Sequence, residues 1–139
     1  MRMNRVWRFV PLICVFVLGM ALYTAHAQQA APTETKGISQ KLLAAVDLGP
    51  EIDGMAGRQL RVRQVTLAPG AVFAVHNHKD RPGVAYVLQG TITEHRGDAV
   101  KDYHAGEVWT ETKDTTHWIE NRGTTDAILL PSDVFHTQP

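Results

Sequence analysis

Along most of the chain, apolar and polar residues alternate over short stretches, and turn-forming residues interrupt them every few positions. Residues 59–67 read QLRVRQVTL, 84–88 read VAYVL and 91–95 read TITEH, runs rich in the β-branched and aromatic side chains that suit a pleated, half-buried surface. The same pattern predicts strands over 71–78, 108–112, 117–120 and 127–130. Ala68-Pro69-Gly70, Gln89-Gly90, Arg96-Gly97-Asp98, Ala105-Gly106 and Asn121-Arg122-Gly123 supply the turns between them. Short strands at such close spacing predict an all-β fold, a small single-domain β-barrel or a sandwich. Residues 38–47, with their LLAAV run, fit a first strand or a short helix equally well. No long helical period and no internal repeat is present.

The N-terminus has a different pattern. Arg2, Arg5 and Arg8 precede an apolar run from Phe9 to Tyr23, and Ala25-His26-Ala27 follows. A run of about 15 residues is shorter than the roughly 20 that a helix needs to cross a bilayer. The small residues at minus three and minus one from Gln28 complete the pattern of a secretory signal peptide over residues 1–27. An uncleaved membrane anchor is the alternative. Residues 28–37 carry no apolar periodicity and are expected as a flexible linker, with the domain spanning 38–139. The predicted destination is the periplasm or the exterior, with no membrane association after cleavage.

Composition removes several function classes. The 139 residues allow one core of ordinary size, and the formal charge is zero, so the basic footprint of a nucleic-acid binder is missing. Without residues 1–27, eleven Lys and Arg remain against fourteen Asp and Glu, a mildly acidic domain. Cys14, the one cysteine, lies inside the signal segment, so the exported chain has no thiol for a disulfide, a metal or a nucleophile.

Candidate chemistry begins at His76-Asn77-His78. On a strand, an i, i+2 pair points both imidazoles to one face, where two neutral rings can chelate an ion. Such a pair alone is weak evidence, but its surroundings strengthen it. Gly70 stands six residues before His76 and Gly90 twelve after His78, while Gly106, His117 and Asn121 form a second spaced set.

These intervals resemble the two motifs of the cupin family: glycine, five residues, histidine, one, histidine, three or four, glutamate, six, glycine; and glycine, five, proline, one, glycine, two, histidine, three, asparagine. Gly70, His76, His78 and Gly90 occupy places of the first motif, and Gly106, His117 and Asn121 places of the second. The chain departs from the motifs at three positions. Gly83 stands where the first motif has its glutamate, and Thr112 and Asp114 replace the proline and glycine of the second, which predicts a looser turn before His117. The resemblance implies a jelly-roll barrel, or double-stranded β-helix, in which His76, His78 and His117 hold a divalent metal ion: iron, manganese, nickel, copper or zinc. Three-histidine sites occur among cupins, thiol dioxygenases being an example.

Glu94 and Glu111 are the nearest candidates for a fourth ligand or an acid–base group, although the plain reading of each is a solvated strand residue. His95, His104 and His136 read as surface or turn residues. Trp109, Trp118, Tyr86 and Phe73 read as core, and Asn121 as a structural residue that fixes its turn. Arg81, in the loop 79–83, is either an exposed loop residue or an anchor for a carboxylate. Two functions stay open. One is a metal-dependent oxygenase or isomerase of a small organic molecule, dioxygenase-like, with no catalytic residue assigned beyond the metal. The other is a non-catalytic module that binds a metal or small ligand. Family habit adds the expectation of a homodimer, and a β-sandwich whose histidine spacing is coincidental is the alternative to the whole reading.

Overall fold

The computed structural model describes residues 30–137; the signal peptide expected over 1–27, with Cys14, and the start of the expected linker lie outside the described residues. Eight strands follow one another: β1 (Lys36–Asp47), β2 (Arg58–Asn77), β3 (Gly83–Gln89), β4 (Thr91–Arg96), β5 (Ala99–His104), β6 (Val108–Glu111), β7 (Thr116–Glu120) and β8 (Ala127–His136). Residues 38–47 are therefore strand, as the edge partner of β2. Residues that precede β1 also touch β2: the Val75 amide donates to the Pro32 carbonyl at 2.9 Å and the Ala74 amide to Thr35 Oγ1 at 3.0 Å.

Every ladder is antiparallel, and all eight strands join in one sheet in which the long β2 changes partners along its length. Its first half lies between β1 and β8, and the sheet continues from β8 through β3 to β6. Its second half pairs with β7, which leads to β4 and β5. The two strands expected on either side of Ala68-Pro69-Gly70 are thus one continuous strand that bends there. Gly70, at φ 74°, takes the left-handed conformation that a side chain disfavours. Asn121 braces the bend: its buried Nδ2 donates to the carbonyls of Leu67 (2.9 Å) and Thr125 (2.8 Å), while its Oδ1 accepts from the Gly123 amide (2.9 Å). The remaining glycine turns fall between strands as the sequence predicts.

Alternation decides what faces the core. Val65, Leu67, Val87, Ile92, Trp109 and Leu129 form the buried core. On β3 the pattern is strict, with Ala85 and Val87 inside and Val84, Tyr86 and Leu88 outside. Tyr86 is consequently 41% exposed and not a core residue, because its parity puts it on the outer face. Trp109 and Trp118 are buried and Phe73 packs against the core. The β2–β8 ladder lapses between Val62↔Ser132 and Val65↔Leu129, where Pro131 has no N–H to contribute. Arg63 lies in that lapse, on the inward face it shares with Val65.

Candidate metal centre

His76 sits at the end of β2, His78 one residue past it and His117 on the neighbouring β7, with His76 directly opposite His117 in the ladder. A bulge between Phe73 and His76 shifts the parity of β2, so that both histidines turn inward. Their ligand atoms, one from each ring, lie within 4.8 Å of one another. His117 Nε2 is 3.0 Å from His78 Nε2 and 3.1 Å from His76 Nε2. Nitrogens bound to a common ion at about 2.1 Å stand roughly 3.0 to 3.4 Å apart, depending on the angle between them.

The other nitrogen of each ring fixes its proton. His76 Nδ1 faces the Ala74 carbonyl (2.9 Å), and His117 Nδ1 faces Glu94 Oε1 (2.6 Å). His78 Nδ1 faces both the Arg81 carbonyl (3.3 Å) and Glu111 Oε2 (3.2 Å). Carbonyls and carboxylates accept, so each Nδ1 carries the hydrogen and each Nε2 presents a lone pair. Three lone pairs then converge on one point, which neutral rings tolerate poorly unless a cation lies among them. The donor set therefore suits a divalent ion that favours imidazole, such as zinc, copper, iron or nickel.

Both carboxylates expected as solvated strand residues are buried, Glu94 at 3% and Glu111 at 6% exposure. Burial alone would push Glu94 up, but hydrogen bonds from His117 and from Arg96 (2.7 Å) hold it below the usual carboxylate range. It orients His117 and raises the basicity of the ring. Burial pushes Glu111 up instead, against the Trp109 indole N–H that donates to it at 3.1 Å. Glu111 also approaches His117 Nε2 at 3.8 Å, so its carboxylate lies beside the meeting point of the rings.

Gly83 explains why the carboxylate comes from β6. Ladder pairing aligns Arg61, Asp133, Gly83 and Glu111 as one cross-strand row over β2, β8, β3 and β6. A Cβ on Gly83 would stand 2.6 Å from the Ser132 carbonyl oxygen and 3.0 Å from Asp133 Cβ. No side chain fits there, and the acid is supplied one strand further on.

The turn before His117, expected to be loose, is closed. The Thr112 amide donates to Thr115 Oγ1 and the Thr115 amide to the Thr112 carbonyl, both at 2.9 Å. His95, read as a surface residue, is buried because its ring lies flat on that of its cross-strand neighbour Trp118, with centroids 3.5 Å apart, and bonds Glu120 at 2.8 Å. His104 and His136 are exposed, away from the three rings. Arg81 is only partly exposed and borders the same cavity as the histidines, as does Arg63, which carries no signal of this role in the sequence. The cavity encloses about 40 Å³, room for a few water molecules, between walls formed by Val65, Phe73, Trp109, Ile119 and Leu129.

Comparison with known proteins agrees with this architecture. The family model described as a cupin domain matches residues 63–133, half of the sequence and every residue of the site. The chain belongs to the cupin family. No curated protein matches it in sequence. Among solved structures, the cupin resembles KdgF from Halomonas sp. at 19% identity, covering 81% of this chain and 87% of that one with a TM-score of 0.59. The polyketide cyclase RemF from Streptomyces resistomycificus aligns at 16% identity over 77% of this chain and 71% of its own, with a TM-score of 0.60. A predicted oxalate decarboxylase from Thermotoga maritima aligns at 19% identity over 75% and 98%, with a TM-score of 0.51. At these identities the likeness establishes the shared jelly roll.

Burial of His76 and His78 predicts acid sensitivity for the metal-free cupin. It lowers His76 and His78 to a pKa of about 4, from 6.5. The unfolded chain then takes up these protons first, and stability falls as the pH drops from about 6.5 to about 4. Thermal melts in EDTA should show Tm nearly constant above pH 7 and declining through that window. Substituting His76 with Gln should flatten the decline.

Proposed function

We propose that this exported cupin binds one divalent metal ion through His76, His78 and His117 and uses it to transform a small organic molecule, by oxygenation or isomerisation. The observation that carries the reading is the convergence of the three Nε2 lone pairs, each directed by an acceptor behind its ring. The metal would supply Lewis acidity or oxygen activation. The chain's own residues do the rest. Glu94 holds His117 in one tautomer, the apolar walls restrict water, and Glu111 places a buried carboxylate where a proton can be taken from or given to a bound molecule. The position of that buried acid beside the meeting point of the rings favours an enzyme over a passive binding module.

Metal analysis of protein purified without oxygen, followed by oxygen-uptake and product screening with phenolic, thiol and diketone compounds, tests the proposal. About one metal ion per chain together with turnover of one compound class is the expected result. A full metal content with no turnover leaves the binding module, and a protein that takes up no divalent ion overturns both.

A further inference from the structure

Three guanidinium groups surround one carboxylate at the wall of the cavity. Arg61 takes both oxygens of the buried Asp133, at 2.7 and 3.2 Å, and its guanidinium also lies 3.6 Å over the Phe135 ring. Arg63 shares one of those oxygens at 3.2 Å and gives a second hydrogen bond to Gln40 at 2.7 Å. Arg81 comes no nearer to Asp133 than 3.8 Å, too far for a hydrogen bond. The arginines are thus served unequally, and Arg61 consumes most of what Asp133 offers.

Two features identify what is missing. Arg63 Nε is buried and has no hydrogen-bond partner among the described residues, although an unmet buried donor costs stability and native proteins rarely leave one. Even with Glu111 counted as charged, this wall sets three cations against two anions, while Glu94 on the far side is already matched by Arg96 at 2.7 Å. Arg81 is also held in place. The Arg81 amide donates to the His78 carbonyl at 3.0 Å, the Val134 amide to the Pro82 carbonyl at 2.9 Å, and Arg58 grips the Asp80 carbonyl at 2.6 Å. A pinned loop that presents to a small cavity a guanidinium with no hydrogen-bond partner among the described residues is organised to receive an anion.

We infer that Arg63 and Arg81 form the anchor for a carboxylate, and that the molecule handled by the three-histidine centre is a small organic acid whose carboxylate lies between these two guanidiniums. A planar carboxylate matches the guanidinium fork, and the tight apolar walls suit an acid of few atoms better than a bulky tetrahedral phosphate ester. The inference rests on the reading of the site as a metal centre for a small molecule, and its test separates the two.

Pyruvate and glycolate, each paired with the corresponding amide, would be titrated calorimetrically into Co²⁺-loaded protein and into protein stripped with EDTA. Each acid should bind at least about tenfold more tightly than its amide in both forms. Arg81→Gln should erase that preference while Co²⁺ stoichiometry stays at the wild-type value. Arg63→Lys, which keeps the charge but loses the Nε–H, should weaken the acids several-fold. Equal binding of acid and amide, an acid preference that survives Arg81→Gln, or inorganic phosphate bound as tightly as the acids would each overturn the inference. Acid preference in a protein that takes up no Co²⁺ would support the anchor and sink the metal centre.

Discussion

His76→Ala and His117→Ala should each lower metal affinity by about a hundredfold or more. Removing one of three donors leaves a chelate of two, and no spare imidazole stands nearby among the described residues, since His95 is locked between Trp118 and Glu120. The wild-type protein should gain about 2.7 kcal/mol of stability when metal is present at a hundred times its dissociation constant. Both variants should lose that increment at the same concentration. They should differ without metal. His117 is 1% exposed and bonds Glu94, so His117→Ala opens a cavity and takes a partner from a buried carboxylate, which should destabilise the chain. His76 is half-buried, so His76→Ala should melt close to wild type in EDTA and report on the metal alone. Thermal melts with and without Zn²⁺ separate these outcomes. A metal-induced rise in Tm that survives in His76→Ala would sink the three-histidine centre.

The parts of this site that are legible in the sequence are those that local geometry controls. An i, i+2 pair on a strand shares a face whatever the fold, so the sequence alone puts His76 and His78 together, and motif spacing brings in His117. Strand positions follow from alternation and glycine turns, except where the pattern is ambiguous. The exposed β1 alternates too weakly to declare itself, and β5 is so polar that only its ladder with β4 reveals it. Neither Glu94 nor Glu111 can be assigned that way, because which neighbour a strand residue meets depends on register between strands distant in sequence. Glu94 lies opposite Ile119 in a ladder and reaches His117 diagonally. Arg63 is invisible for a further reason: a charged residue in an otherwise alternating strand reads as outward, and nothing local indicates that the lapse at Pro131 and the charge of Asp133 admit it to the interior.

Gly83→Ala should destabilise the protein by about 3 kcal/mol, and Gly83→Glu should not fold at all. Restoring the motif's glutamate would ordinarily be expected to repair the site, so the sign of this prediction separates the structural argument from the motif argument. The added Cβ meets backbone, the Ser132 carbonyl oxygen at 2.6 Å, and backbone in the middle of a sheet cannot swing aside as a side-chain tip can. Overpacking of this kind costs about 1 to 3 kcal/mol even where neighbours are side chains. Glutamate would add a third carboxylate between Asp133 and Glu111, whose strands flank β3 on either side and stand about 4.8 Å from it. Such like-charge crowding raises the cost further. Denaturant unfolding of Gly83→Ala should show a lower midpoint with an unchanged slope, since the same surface is exposed on unfolding. If Gly83→Glu folds as well as the wild type and binds metal more tightly, β3 and β8 can part to admit a side chain. Glu111 would then be a bystander, and not the carboxylate that replaces the motif's own.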